Sequence, residues 1–160
     1  MIQYSMKIDG AKEFERKLAG LETKVAKKLV RQAARGAQKI LHQAARAAVL
    51  ALPSGPYSTG KMRALISKAI VLRAKKKQKR GSYTMLVRLK GQSEGTPPEF
   101  FHTTKTGQRY FIPALIEHGH GANKESAARS YMRKAADETK QQVIRTFGKL
   151  LGQGIEQAMK

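Results

Sequence analysis

The sequence predicts an α+β domain in which a small, mostly antiparallel sheet is packed by a long N-terminal helix and a C-terminal helix. Three observations carry that expectation. Apolar residues recur every three or four positions near both ends of the chain, as on one face of an amphipathic helix. Between those ends lie two short runs, at about 69–74 and 83–89, rich in β-branched or aromatic residues, a composition that suits strands. The chain's 160 residues, 41% of them hydrophobic, fit one domain (1–160) able to bury a core without disulfides or metals.

Taken in order, Ile2, Tyr4, Met6 and Ile8 alternate with other residues and predict a short strand. Asp9 stands where a side chain can accept from the free N–H groups of a first helical turn. A helix is then expected from about 11 to about 50. Its stripe runs through Phe14, Leu18, Leu21, Val25 and Leu29, then Ala33, Ala37, Ile40 or Leu41, Ala44 and Ala48. Such a helix would be roughly 60 Å long, more than one small domain covers, and its alanine-rich half lets another backbone come close. Gly20 and Gly36 each weaken it by up to ~1 kcal/mol relative to alanine, with Gly36 a candidate bend. Glu13 and Lys17 form a favourable i,i+4 pair.

Pro53 stops the helix and opens a loop. Ser58 or Thr59 precedes a short helix over about 61–67 with Met62, Leu65 and Ile66 inward. The two strands that follow make a hairpin over about 69–89. Residues 91–108 are polar and rich in Gly, Pro and Thr, and read as a flexible loop that Phe100 and Phe101 pin to the body or to a neighbour. A strand at 109–112 leads into a helical turn at 113–117 with Pro113 at its favoured start. That turn ends in Gly119-His120-Gly121. Residues 126–133 suit either an extended or a helical conformation. A final helix over about 135–159 carries Val143, Phe147, Leu150 or Leu151, Ile155 and Met159 on one face.

Charge is the strongest compositional signal. Lys and Arg number 32 against 11 Asp and Glu, a formal net charge of +21. The excess is concentrated: residues 23–93 contain no acid and 18 cations, seven between 24 and 46 and eleven between 61 and 90. Such asymmetry points to a nucleic acid, an acidic protein surface or an anionic membrane as neighbour. The densest cluster is Lys75, Lys76, Lys77, Lys79 and Arg80 at the hairpin tip. It is either a solvated turn or a contact with nucleic acid or an acidic protein surface. Tyr83 is the only aromatic close by, which disfavours a dedicated single-strand reader.

Several classes are disfavoured. With no cysteine there is no disulfide framework, thiolate metal site or Cys nucleophile. The N-terminus lacks the pattern of a signal peptide, and no apolar stretch approaches the roughly 18 residues of a membrane span. A soluble protein made in the cytoplasm, with no membrane partner, is expected. None of His42, His102, His118 and His120 accompanies a nucleophile motif. His118 and His120 are two apart across a glycine, the wrong spacing for a helical zinc pair. Tyr57-Ser58-Thr59-Gly60-Lys61 lacks the first glycine of a phosphate-cradling loop. The expectation is no enzyme, no catalytic residue, no metal and no cofactor.

One set of segments, in this order, resembles a known family. It comprises Ile8-Asp9-Gly10-Ala11-Lys12-Glu13-Phe14, the basic Ala-rich run Val25-Ala26-Lys27-Lys28-Leu29-Val30-Arg31-Gln32-Ala33-Ala34, and a Pro-containing loop. Thr59-Gly60-Lys61-Met62-Arg63-Ala64-Leu65-Ile66 follows, then the basic hairpin. Ala114-Leu115-Ile116-Glu117-His118-Gly119 and Ala128-Arg129-Ser130-Tyr131-Met132-Arg133-Lys134-Ala135 complete it. Together they resemble the tail-completion or head–tail joining family, the neck and tail components of long-tailed bacteriophages. The resemblance covers nearly the whole chain. It departs at 91–108, which looks like an insertion, and at Lys134, where Pro is common.

The resemblance implies a structural virion protein assembled in the host cytoplasm. It implies a homo-oligomeric ring, commonly sixfold, that completes the tail and joins it to the head connector. The implied neighbours are a head-connector or stopper protein, a tail-terminator or tail-tube protein, and genome DNA in the channel. Catalysis and cofactors are not implied. The residues alone also allow a basic nucleic-acid-binding protein without catalysis, or an enzyme whose site carries no recognised motif.

Overall fold

A computed structural model describes residues 3–4, 19–75, 83–90, 94–119 and 129–159. The architecture is α+β. In chain order it comprises β1 (Gln3–Tyr4), α1 (Thr23–Leu50), α2 (Gly60–Ala69), β2 (Ile70–Ala74) and β3 (Met85–Leu89). A single 3-10 turn (Pro98–Phe100), β4 (Phe101–Thr103), β5 (Arg109–Phe111), α3 (Ile112–His118) and α4 (Tyr131–Ala158) follow.

The expected single helix over 11–50 is shorter at its start. Ala19 is helical, but the chain leaves the helix at residues 20–22, and α1 begins at Thr23. Gly20 gives the helix no side chain to pack and costs it the most backbone entropy, while Glu22 is extended at φ −54°, ψ 134°. Phe14, Leu18, Asp9 and the Glu13–Lys17 pair lie outside the described residues. At 28 residues, α1 is about 42 Å long. The helix runs through Gly36 without interruption. A Cβ there would lie 2.5 Å from Leu150 Cδ1, and one at Gly154 would lie 2.9 Å from Leu29 Cδ2. Both glycines therefore bring α1 and α4 together. The pairs 36 with 150 and 29 with 154 run in opposite senses along the chain, so the two helices are antiparallel.

β3 is the centre of a three-stranded antiparallel sheet, with β1 on one side and β2 on the other. Ile70 pairs with Leu89, Leu72 with Val87 and Ala74 with Met85. Alternation sends those six side chains to one face, where Ile70, Met85, Val87 and Leu89 are buried. The opposite face carries Arg73 and Arg88, whose guanidiniums both hold Glu94 Oε1, at 2.6 and 2.7 Å. α2 is capped by Thr59, whose hydroxyl accepts from the Met62 N–H at 3.2 Å, and it passes into β2 without a loop.

The main core joins Ala37, Leu41, Ala45 and Val49 of α1 to Ile66, the sheet, Ile112 and Ile116 of α3, and Tyr131, Met132, Ala135 and Val143 of α4. A second cluster of Ala33, Leu151 and Ile155 continues the α1–α4 contact. Met159, expected on the buried stripe, is 70% exposed because it follows the last turn of α4. α4 begins at Tyr131 rather than 135; of the undecided stretch 126–133, residues 131–133 are helical.

The expected loop over 91–108 carries structure. Its last part forms the 3-10 turn and β4, which pairs antiparallel with β5 across a turn at 104–108. Phe100 is 0% exposed and belongs to the main core, so it is not a surface contact. Its ring meets Phe111 edge-on at 6.0 Å. Tertiary packing of this one ring overrides the loop-forming composition around it.

Candidate functional site

Two of the segments that carried the resemblance reach the loop after α1, through Arg63 and Arg129, and a third holds the chain next to Arg129 through Glu117. Arg63, in the first turn of α2, donates to the Leu52 carbonyl and reaches Ser54 Oγ at 3.5 Å. Arg129, just before α4, donates to the Pro53 carbonyl at 2.7 Å and to Ser58 Oγ at 2.6 Å. Ser58 is buried and donates to the same Pro53 carbonyl at 2.7 Å. Carbonyls left unpaired where a helix gives way to proline thus find charged donors from two distant parts of the chain.

Glu117 completes this knot. Ile112, Pro113, Ile116 and Glu117 occupy one face of α3 and all are buried. The Glu117 carboxylate accepts from the Met132 N–H at 2.8 Å and the Arg133 N–H at 3.0 Å. Its backbone carbonyl accepts from the Ser130 N–H at 3.2 Å and from Ser130 Oγ at 3.1 Å. Glu117 therefore satisfies two of the first N–H groups of α4 and that of the residue preceding it, and its negative charge lies at the positive end of the helix dipole. Ser130, at φ 26° and ψ 45°, is the one non-glycine with positive φ among the described residues. Such backbone persists where its surroundings over-determine it, here through the two Glu117 contacts. Gly119, at φ 77°, turns the chain out of α3.

Of the predicted anion-binding residues, Lys75 alone belongs to the described residues. Lys75 follows β2 directly, is exposed, and donates its N–H to the Thr84 carbonyl at 3.0 Å. Lys76, Lys77, Lys79 and Arg80 lie outside the described residues. The turn end of the β2–β3 hairpin meets α1, where the Arg31 guanidinium sits 5.7 Å from the centre of the Tyr83 ring. Lys24, Lys27, Lys28, Arg31, Arg35 and Lys39 are all exposed. No residue of α1 is acidic. The i,i+4 series Lys27, Arg31, Arg35 and Lys39 lines one side of the helix. Sequence reasoning counted these cations but did not assign them a face, although the fourfold spacing was the signal available.

Of the two predicted loop contacts, Phe100 is interior. Phe101 is half-buried, tilted against Phe111 at 5.4 Å with the Arg109 guanidinium 4.0 Å from its ring centre. The hydrogen bonds of His42 serve the scaffold, its Nε2 donating to the Ile70 carbonyl at 3.0 Å. His102 meets Tyr57 edge-on at 5.8 Å, His118 is exposed at the end of α3, and His120 lies outside the described residues. Among the described residues no three of His, Cys, Asp and Glu cluster closely enough to hold a metal ion. No helix among them is long and apolar enough to cross a membrane. The described surface can bind anions through its exposed Lys and Arg.

No protein-family model, curated protein or solved structure matches this chain.

Proposed function

We propose that this protein is a structural virion component of a long-tailed bacteriophage, forming a ring in the neck that completes the tail and joins it to the head connector. The observation that carries this reading is one bonded framework in which Arg63 and Arg129 hold the Pro53 loop and Glu117 holds the start of α4 beside Arg129. Arg63, Glu117 and Arg129 come from three of the segments on which the resemblance rests, and they are joined in that framework. A shared framework role of this kind suits a protein that works through its surfaces. Its partners are further copies of the chain, a head-connector or stopper protein, and a tail-terminator or tail-tube protein. The acid-free cationic surface of α1 favours a second reading, a nucleic-acid-binding protein without catalysis.

Ring formation on an acidic partner, rather than the state of the isolated chain, separates the two readings. With +21 charges per subunit, copies repel until an acidic neighbour offsets the repulsion. Light scattering at physiological salt should therefore find a monomer or weak associations, with rings forming on the partner. A stable hexamer of the isolated chain would contradict this. Electron microscopy of particles assembled without the chain should find filled heads and separate tails, and intact virions would sink the neck reading.

The hairpin charges supply a further test. Replacing Lys75, Lys76, Lys77, Lys79 and Arg80 with Ser or Gln should leave the circular dichroism spectrum unchanged, since surface substitutions usually shift stability by only about 0.5 kcal/mol each. Head–tail joining should slow on the order of 10-fold or more and become less salt-sensitive, because complementary charge chiefly sets encounter rates. Normal titres of infectious particles would mean that the tip is a solvated turn.

A further inference from the structure

We infer that the exposed cationic row of α1, formed by Lys24, Lys27, Lys28, Arg31, Arg35 and Lys39, is a binding site for the phosphate backbone of duplex DNA, engaged without regard to base sequence. The inference does not depend on the neck reading, since it concerns a surface of the isolated chain.

Its first support is electrostatic. Among the described residues no α1 cation forms an ion pair. The ion-paired carboxylates are engaged elsewhere, Glu94 by Arg73 and Arg88, Glu99 by Lys61 and Glu138 by Lys134. α4 has a mixed surface by comparison, with Asp137, Glu138 and Glu156 exposed among its cations. A row of like charges without an ion-pair partner among the described residues attracts an anionic polymer strongly.

Spacing is the second support. Lys24 to Lys39 spans about 22 Å of helix. One strand of B-DNA carries a phosphate every 3.4 Å of axis, or about six over that length, equal in number to the cations of the row. The row is also pre-organised. α4 backs α1 through the close contacts at Gly36 and Gly154, and Arg31 links it to Tyr83 at the turn end of the hairpin, where the Lys75 N–H donates to the neighbouring Thr84 carbonyl.

The third support separates DNA from an acidic protein. A protein interface needs a desolvated apolar or aromatic anchor among its charges. Beyond the row, the exposed residues of α1 are Gln32, Gln43, Arg46, Ala47 and Leu50. The large apolar side chains exposed among the described residues are Leu50 and Met159, at the C-terminal ends of α1 and α4. Backbone contacts with phosphate need no such anchor. Nor does the row offer the aromatic platforms that single strands stack upon.

Fluorescence anisotropy of the full chain tests this with two unrelated 24-bp duplexes, the matching single strand and poly-glutamate, between 50 and 200 mM salt. The two duplexes should bind within about 2-fold of each other, as expected for backbone contacts. The quadruple variant Lys27→Gln, Lys28→Gln, Arg35→Gln and Lys39→Gln should flatten the log–log salt slope by about 3.6, at about 0.9 per phosphate. An equal charge removal on α4 (Lys134→Gln, Lys140→Gln, Arg145→Gln and Lys149→Gln) should change it by less than about 1. Lys27→Arg, Lys28→Arg and Lys39→Arg together should keep wild-type binding. If the Gln variant loses helicity, single Gln substitutions carry the same test at about 0.9 each. Equal losses from the two quadruple variants would overturn the inference in favour of net charge alone. Poly-glutamate binding as tightly as the duplex would overturn it in favour of an acidic protein, and tighter binding of the single strand would also overturn it.

Discussion

Phe100→Ala is expected to destabilise the protein by about 4 kcal/mol, within the range for removing a buried aromatic ring, whereas Phe101→Ala one residue later should cost about 1–2 kcal/mol. Phe100 has no exposed surface and joins the main core against Phe111. Its removal leaves a cavity between α-helical and β layers that close packing cannot refill. Phe101 stands half outside, and its losses are an aromatic contact with Phe111 and the Arg109 guanidinium over its face. For a chain of this length the Phe100 effect corresponds to a fall in Tm of roughly 8–16 °C. The β4–β5 ribbon has two short strands and is marginal alone. Hydrogen exchange at its amides should therefore accelerate in Phe100→Ala more than exchange in α1. Equal costs for the two substitutions in urea denaturation would show that the ring at 100 is not an anchor.

The same dipeptide marks where sequence reading succeeds and where it stops. β2 and β3 were legible because residues 70–74 and 85–89 are β-branched or apolar at alternate positions and a turn-prone stretch separates them. α4 was legible from Val143, Leu151 and Ile155 on one stripe. β4 and β5 were not read as a ribbon, since three-residue strands in a Gly, Pro and Thr context have little local preference. Their order comes from a ring packed against residues far away in the chain. The break before α1 also escaped notice, because the apolar stripe continues through Leu21 while Gly20 and the extended Glu22 interrupt the backbone. At the candidate site, the cations of α1 were visible but their shared face was left unassigned. Arg63, Arg129 and Glu117 were visible only as members of motifs. Their partners are backbone groups of Leu52, Pro53, Met132 and Arg133, and backbone groups carry no sequence signal.

Glu117→Ala should cost about 3 kcal/mol, the largest effect expected from a polar substitution. Two N–H groups at the start of α4 lose a charge-assisted acceptor, each such bond contributing roughly 1.5–3 kcal/mol before the carboxylate's own desolvation is offset. The Met132 N–H is left buried with no acceptor from this side chain. Ser130 does not substitute for it, since its side chain makes no cap bond to α4 and donates to the Glu117 carbonyl instead. Glu117→Gln should recover only part of the loss. Its amide keeps one acceptor oxygen, presents an NH2 to the other N–H, and gives up the charge that favours a helix N-terminus by up to about 2 kcal/mol in a partly buried setting. Glu117→Asp should behave more like Ala than like Gln, because a side chain one methylene shorter does not span from α3 to both amides. Arg129→Ala provides the decisive comparison. Arg129 ties the residue next to Ser130 to Pro53 and Ser58, and its N–H donates to the Ile116 carbonyl beside Glu117. If Glu117 and Arg129 hold one turn, the double variant should depart from additivity by at least about 0.5 kcal/mol. Urea denaturation of the four single variants and the double variant measures both quantities. A near-neutral Glu117→Ala, or strict additivity with Arg129→Ala, would mean that α4 starts where it does through core packing alone.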